Sequence, residues 1–142
     1  MIVNEMIHTE ITVRVPVEKA WNYWTLPEHV TNWNFASSDW QCPQAVNDLR
    51  IGGVFNYRME AKDQSMGFDF YGTYDEIEEF SRINYTLGDN RKVHIQFIPE
   101  GGDTHILQNF EAETENPPDM QRFGWQSIMN NYKEYVEKQE VL

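Results

Sequence analysis

Apolar and polar residues alternate one by one through most of the chain, then switch near its end to a spacing of three and four. Across residues 5–15, Ile7, Thr9, Ile11, Val13 and Val15 fall on one face, with His8, Glu10, Thr12 and Arg14 on the other. That is the period of a half-buried strand. The same alternation marks residues 51–60, where Phe55, Tyr57 and Met59 oppose Asn56, Arg58 and Glu60, and it returns over 68–78, 82–87, 91–98 and 104–113. Between these runs lie turn signals, among them Phe80-Ser81, Gly88-Asp89-Asn90 and Pro99-Glu100-Gly101-Gly102. Gly72 sits in the middle of the longest run, where a strongly curved sheet needs a residue without a side chain, and Gly52-Gly53 allows a bend.

Three segments depart from that pattern. Residues 17–24, after Pro16, and 28–33, after Pro27, read as two short helices forming a V that plugs one end of the sheet. Residues 34–47 carry no period and read as a loop with a short strand near its end, a lid or packed cover bearing Phe35 and Trp40. The last segment, 116–139, is a long helix. Asn116 suits its cap, Pro117 or Pro118 its first position, and Asp119 its positive end. Trp125, Ile128, Met129, Tyr132, Tyr135 and Val136 share one broad face of that helix, and the face needs a partner. The partner is the sheet, which makes the chain an α+β fold: a curved antiparallel sheet of six to seven strands wrapped around the C-terminal helix.

At 142 residues the pattern fits one domain, 1–142, able to bury about 70% of the surface exposed by its unfolded form. Five Trp, seven Tyr and eight Phe are a rich supply for that size, and they suit a cavity lined with rings as well as a core. The net charge of −12 repels phosphates, so neither nucleic acid nor an anionic membrane surface is an expected partner. A lone Cys42 rules out an intrachain disulfide. No basic-then-apolar leader and no window near the ~20 apolar residues of a membrane span is present, so the chain reads as cytoplasmic.

Four stretches carry a resemblance to a known family. They are Val15-Pro16-Val17-Glu18-Lys19-Ala20-Trp21, Leu49-Arg50-Ile51-Gly52-Gly53-Val54-Phe55, and Gly72-Thr73-Tyr74-Asp75-Glu76-Ile77 with Arg82-Ile83-Asn84-Tyr85-Thr86-Leu87. The fourth is Gly101-Gly102-Asp103-Thr104 with Gly124-Trp125. In that order they resemble the helix-grip (SRPBCC) superfamily of START-like and polyketide-cyclase-like domains, most closely the group named after the activator of the Hsp90 ATPase. The resemblance implies a seven-stranded sheet gripping the C-terminal helix with a cavity between them. Members bind lipids, sterols, hormones or polyketides, and some catalyse cyclisation or dehydration. A chain of 142 residues leaves no room for the additional regions of the Hsp90 activator itself, so Hsp90 is not an expected partner.

A pocket in such a fold takes its walls from the helix and the inward strand faces. The candidates are Trp33, Phe35 and Trp40 near the mouth, Phe55, Tyr57, Phe70 and Tyr85 from strands, and Trp125, Met129 and Tyr132 from the helix. Gly124 leaves room beside Trp125. Gln108 shares a face with Ile106 and Phe110 and is the best placed polar group, whereas alternation turns Arg58 and Gln96 outward. His8, His29, His94 and His105 are scattered without metal-ligand spacing, so neither a metal nor a cofactor is expected. Asp75, Glu76, Glu78 and Glu79 read as a solvated edge, and Cys42 has no partner base. With no catalytic constellation in view, the expected function is binding of a small hydrophobic molecule. Two other readings stay open: a cyclase or dehydratase acting on a hydrophobic substrate, and a protein-interaction domain. An exposed sheet edge also permits a homodimer.

Overall fold

The computed structural model describes residues 5–140. One sheet holds seven strands: β1 (Met6–Val13), β2 (Trp40–Asn47), β3 (Val54–Ala61), β4 (Gly67–Glu78), β5 (Arg82–Leu87), β6 (Lys92–Glu100) and β7 (Asp103–Glu111). Helices α1 (Val17–Thr25) and α2 (Pro27–Val30) separate β1 from β2, and α3 (Pro118–Glu140) follows β7. The spatial order is β1-β7-β6-β5-β4-β3-β2, antiparallel at every step. β2 to β7 form a meander, and β1 returns beside β7. β1 and β2 are therefore the two edges, and the V of α1 and α2 carries the chain from one edge to the other across the end of the sheet.

The alternation of the sequence is what the sheet uses. On β5, β6 and β7 every second side chain is buried, and Val93, Ile95 and Phe97 stand opposite Phe110, Gln108 and Ile106 on the inner face. Burying Ile7, Val13, Ile95, Ile106 and Val136 contributes about 1.5–3 kcal/mol each. Gly72 marks the sharpest close approach: a Cβ there would lie 2.7 Å from the Thr86 carbonyl oxygen and 3.0 Å from the Phe55 ring. Only glycine lets β4 pass so close to its neighbours.

Four expectations change. Residues 40–47, read as mostly loop, form the full edge strand β2, whose register shifts between Gln41 and Gln44. That irregularity, around Cys42 and Pro43, is what destroys the alternation, and Pro is tolerated because the strand is an edge. β3 starts at Val54 rather than 51, because Arg50 and Gly53 close a turn through Gly53 N–H to Arg50 C=O at 2.8 Å. Helix α2 stops at Val30, three residues short of Trp33. The cap of α3 is Pro117, whose carbonyl accepts from the Met120 and Gln121 amides at 3.0 and 3.2 Å, with Pro118 in the first helical position.

α3 also covers the outer edge of β1. Gln126 bonds both backbone groups of Glu10, donating to its carbonyl at 3.0 Å and accepting from its amide at 3.3 Å. Lys133 donates to the Thr12 carbonyl, and the Arg14 amide donates to Glu137 at 3.0 Å. Alternate backbone groups of an edge strand point the same way, and residues 126, 133 and 137 share one helix face, so the two periods meet. Among the described residues no helix is long and apolar enough to cross a membrane.

Candidate ligand cavity

Helix α3 has a second face that looks into the sheet, and its two ends meet different surroundings. Toward the C-terminus, Tyr132 is fully buried, edge-on to Trp24 and Trp33 at 4.9 and 5.0 Å, and its hydroxyl donates to the Ala20 carbonyl at 2.7 Å. Toward the N-terminus the helix presents Gln121, Gly124, Trp125, Ile128 and Met129 to a cavity of about 370 Å³. That volume falls within the range of small-molecule sites, about 300–1,000 Å³.

The sheet supplies the floor: Tyr57 and Met59 from β3, Phe68 and Phe70 from β4, Tyr85 from β5 and Gln108 from β7. Trp24, Trp33 and Asn34 close the end nearest the short helices, while Arg91, Glu113, Asn116 and Met120 stand at the other. Trp125 stacks on Phe110 with centroids 3.8 Å apart and meets the edge of Phe70 at 5.8 Å, so its ring is held from two sides. Gln121 fastens the segment before the helix. It accepts from the Glu113 amide at 2.9 Å and donates to the Glu113 and Asn116 carbonyls at 3.0 and 2.8 Å.

Of the residues expected to line a pocket, Trp33, Tyr57, Phe70, Tyr85, Gln108, Trp125 and Met129 converge on this space. Four lie elsewhere. Tyr132, expected over the cavity, belongs to the packed end just described. Phe55 is sunk below the floor among Tyr57, Tyr74 and Tyr85, bordering a second space of only about 30 Å³. Trp40 lies on the edge strand, 6.1 Å from the outer wall ring Phe68, and Phe35 packs against the core with its carbonyl toward Asn131. Met59, Phe68 and Gln121 also line the space: the first two share the inward alternation of Tyr57 and Phe70, and Gln121 lies one turn before Trp125. Asn34 comes from an irregular segment that carries no periodic signal, whereas Arg91 opens the alternating run 91–98 with the parity of Val93, Ile95 and Phe97.

The polar groups of the wall are few. Thr9, itself buried, donates to Gln108 Oε1 at 3.1 Å, which leaves the amide nitrogen of Gln108 facing the cavity. Tyr85 has no hydrogen-bond partner among the described residues, and burial pushes its phenol far up. Burial also raises Tyr57, helped by the neighbouring Tyr74 hydroxyl, so both phenols stay protonated. Arg91 is engaged by Asp89 at 2.7 Å and by the Glu111 carbonyl at 3.4 Å. Both carboxylate oxygens of Glu113 accept backbone amides, from Glu115 at 3.1 Å and Asn116 at 2.8 Å. Among the described residues no histidine lies in the wall. Cys42 is outside it and its thiol is pushed up to about 11 by burial, which removes the thiolate needed of a nucleophile. Among the described residues no three His, Cys, Asp or Glu side chains are grouped to hold a metal ion. The arrangement can enclose and orient a molecule.

The comparisons with known proteins agree with this architecture. The family model described as activator of Hsp90 ATPase homolog 1-like protein matches residues 14–137. The solution structure of an AHSA1-like protein from Aeromonas hydrophila is 39% identical, covering 97% of this chain and 96% of that one, with a TM-score of 0.91. Chr148 from Cytophaga hutchinsonii is 46% identical over 94% of this chain and 92% of its own, with a TM-score of 0.81. A crystal structure from Nitrosomonas europaea shares the fold at 19% identity, with a TM-score of 0.79 and coverage of 94% and 95%. No curated protein matches the chain.

Proposed function

The chain belongs to the activator of Hsp90 ATPase homolog 1-like family, and from that premise we propose that it binds a small, mostly apolar molecule between α3 and the sheet. The observation that carries this reading is the unfilled space of about 370 Å³ beneath Gly124 and Trp125, in a molecule otherwise packed with rings. A chain that needed only a core would place a larger side chain at 124, where a Cβ meets nothing within 4 Å. We read the whole chain as one domain serving this task.

An enzymatic role has less support. The carboxylate in the wall, Glu113, is spent on backbone amides, and the phenols are too strongly protonated to act as bases. A protein-interaction role draws support from one feature, the exposed Met120 and Phe123 in the first turns of α3, 60% and 76% accessible.

Native mass spectrometry of protein purified from its own host tests the proposal. The expected result is a retained mass that is lost when Gly124→Leu fills the space. A clean apoprotein that also fails to take up a hydrophobic dye, with no change on Gly124→Leu, would overturn it.

A further inference from the structure

Two polar side chains set deep in the cavity wall, Gln108 and Tyr85, narrow the chemistry of what it holds, and this step rests on the binding role proposed above. Gln108 is 5% exposed and Tyr85 7%, so each is more than nine-tenths buried, and both belong to the wall. Thr9 holds the Gln108 carbonyl oxygen at 3.1 Å, which fixes the amide so that its nitrogen is the atom offered inward. Among the described residues nothing accepts from that nitrogen or from the Tyr85 hydroxyl. Both donors therefore face a mostly apolar space with no protein acceptor, and an acceptor on a ligand would satisfy them.

Charge decides which kind of acceptor. Among the described residues the charged side chains of the wall are Arg91 and Glu113. Arg91 is already paired with Asp89 at 2.7 Å, and Glu113 adds a negative charge at the same end. The chain as a whole carries −12. A carboxylate entering this space would lose its water without gaining a free cation, whereas a carbonyl would lose little and gain two donors. A plain hydrocarbon would leave both donors unmet. We infer that the cavity selects an uncharged molecule bearing a hydrogen-bond acceptor, such as a ketone, ester or amide carbonyl, over a carboxylate or a hydrocarbon of the same shape.

Three probes of matched shape test this: acetylnaphthalene, naphthoate and ethylnaphthalene, substituted at the same ring carbon and titrated by calorimetry at neutral pH. The ketone is expected to bind tighter than either of the others by roughly ten-fold, the factor worth one well-made buried hydrogen bond. Gln108→Leu should narrow the gap between ketone and hydrocarbon. Tyr85→Phe, which removes a hydroxyl with no protein partner, should narrow the same gap without disturbing the fold, and it serves if Gln108→Leu does not fold. Naphthoate binding as tightly as the ketone, or ethylnaphthalene doing so in the unaltered protein, would overturn the inference while leaving the binding role intact. If none of the three binds at millimolar concentration, the binding role falls and this inference with it.

Discussion

Under its second half α3 presses Tyr132 and Val136, both fully buried, between the short helices and the sheet. Under its first half the same helix spans open space beside Gly124. Helix, sheet and curvature are shared, so the difference lies in what fills the gap. At the packed end α1 and the chain after α2 contribute Trp24 and Trp33, which close on Tyr132 at 4.9 and 5.0 Å. At the open end, among the described residues, no helix enters from that side, and α3 offers a glycine where a large side chain would be needed. The V of short helices reaches only one end of the groove, and a cavity is what remains where it stops.

The sharpest way to break this comparison is to truncate the ring at the packed end. Tyr132→Ala is expected to cost about 3–5 kcal/mol, from a cavity that cannot collapse between two indoles and from the lost bond to Ala20. Urea unfolding followed by far-ultraviolet circular dichroism measures it. A cost below about 1 kcal/mol would mean that this end is packed no better than the other.

The counterpart at the open end is Trp125→Ala. Its ring is half-buried and stacked on Phe110, so about 2 kcal/mol is expected, from the stacking and from partial burial. Side by side in urea, a Trp125→Ala loss equal to that of Tyr132→Ala would erase the distinction between core and cavity. A smaller loss, together with weakened dye binding, would sharpen it.

This division of α3 is also where reading the sequence reached its limit. Alternation along β5, β6 and β7 made their buried faces plain, and the three-four spacing made the helix plain. Neither period reports how far another element reaches into the groove. Trp125 and Tyr132 sit on one helix face seven residues apart, two turns that look alike in sequence. They part only because Trp24 and Trp33 arrive over one of them, which is a long-range fact. β2 was obscured for a different reason: its irregular register around Pro43 erased the period that would have marked it as a strand. Asn34 enters the wall from the stretch between α2 and β2, which has no period to place it.

A gentler probe of the open end is Gly124→Ala. In a packed helix face an added methyl clashes, but here it meets nothing within 4 Å. Replacing glycine by alanine inside a helix should then stabilise the protein by about 0.5–1 kcal/mol, mainly by restricting the unfolded chain. The melting temperature should rise by a few degrees while ligand uptake falls. A destabilised variant would show that the space beside Gly124 is filled in solution.

The smallest expected effect concerns why a helix with a cavity under one half stays seated. Its second half is latched to the edge of β1, and Glu137 is the titratable part of the latch. Burial alone would raise its carboxyl, but the Lys133 ammonium at 2.8 Å and the Arg14 backbone N–H outweigh that, holding it below the usual glutamate range. A carboxyl depressed in the folded state adds stability that is present above its unfolded value and lost as the pH falls through the folded one. The loss should therefore begin below the ordinary glutamate value of about 4.3. Glu137→Gln should lower the urea midpoint slightly at neutral pH and not at all in acid, where the carboxylate of the unaltered protein is already protonated. A difference that persists unchanged at low pH would assign the latch to the hydrogen bond with Arg14 rather than to charge. The seating of the packed half of α3 would then not depend on the charge of Glu137, and acid would leave the lid over the cavity in place.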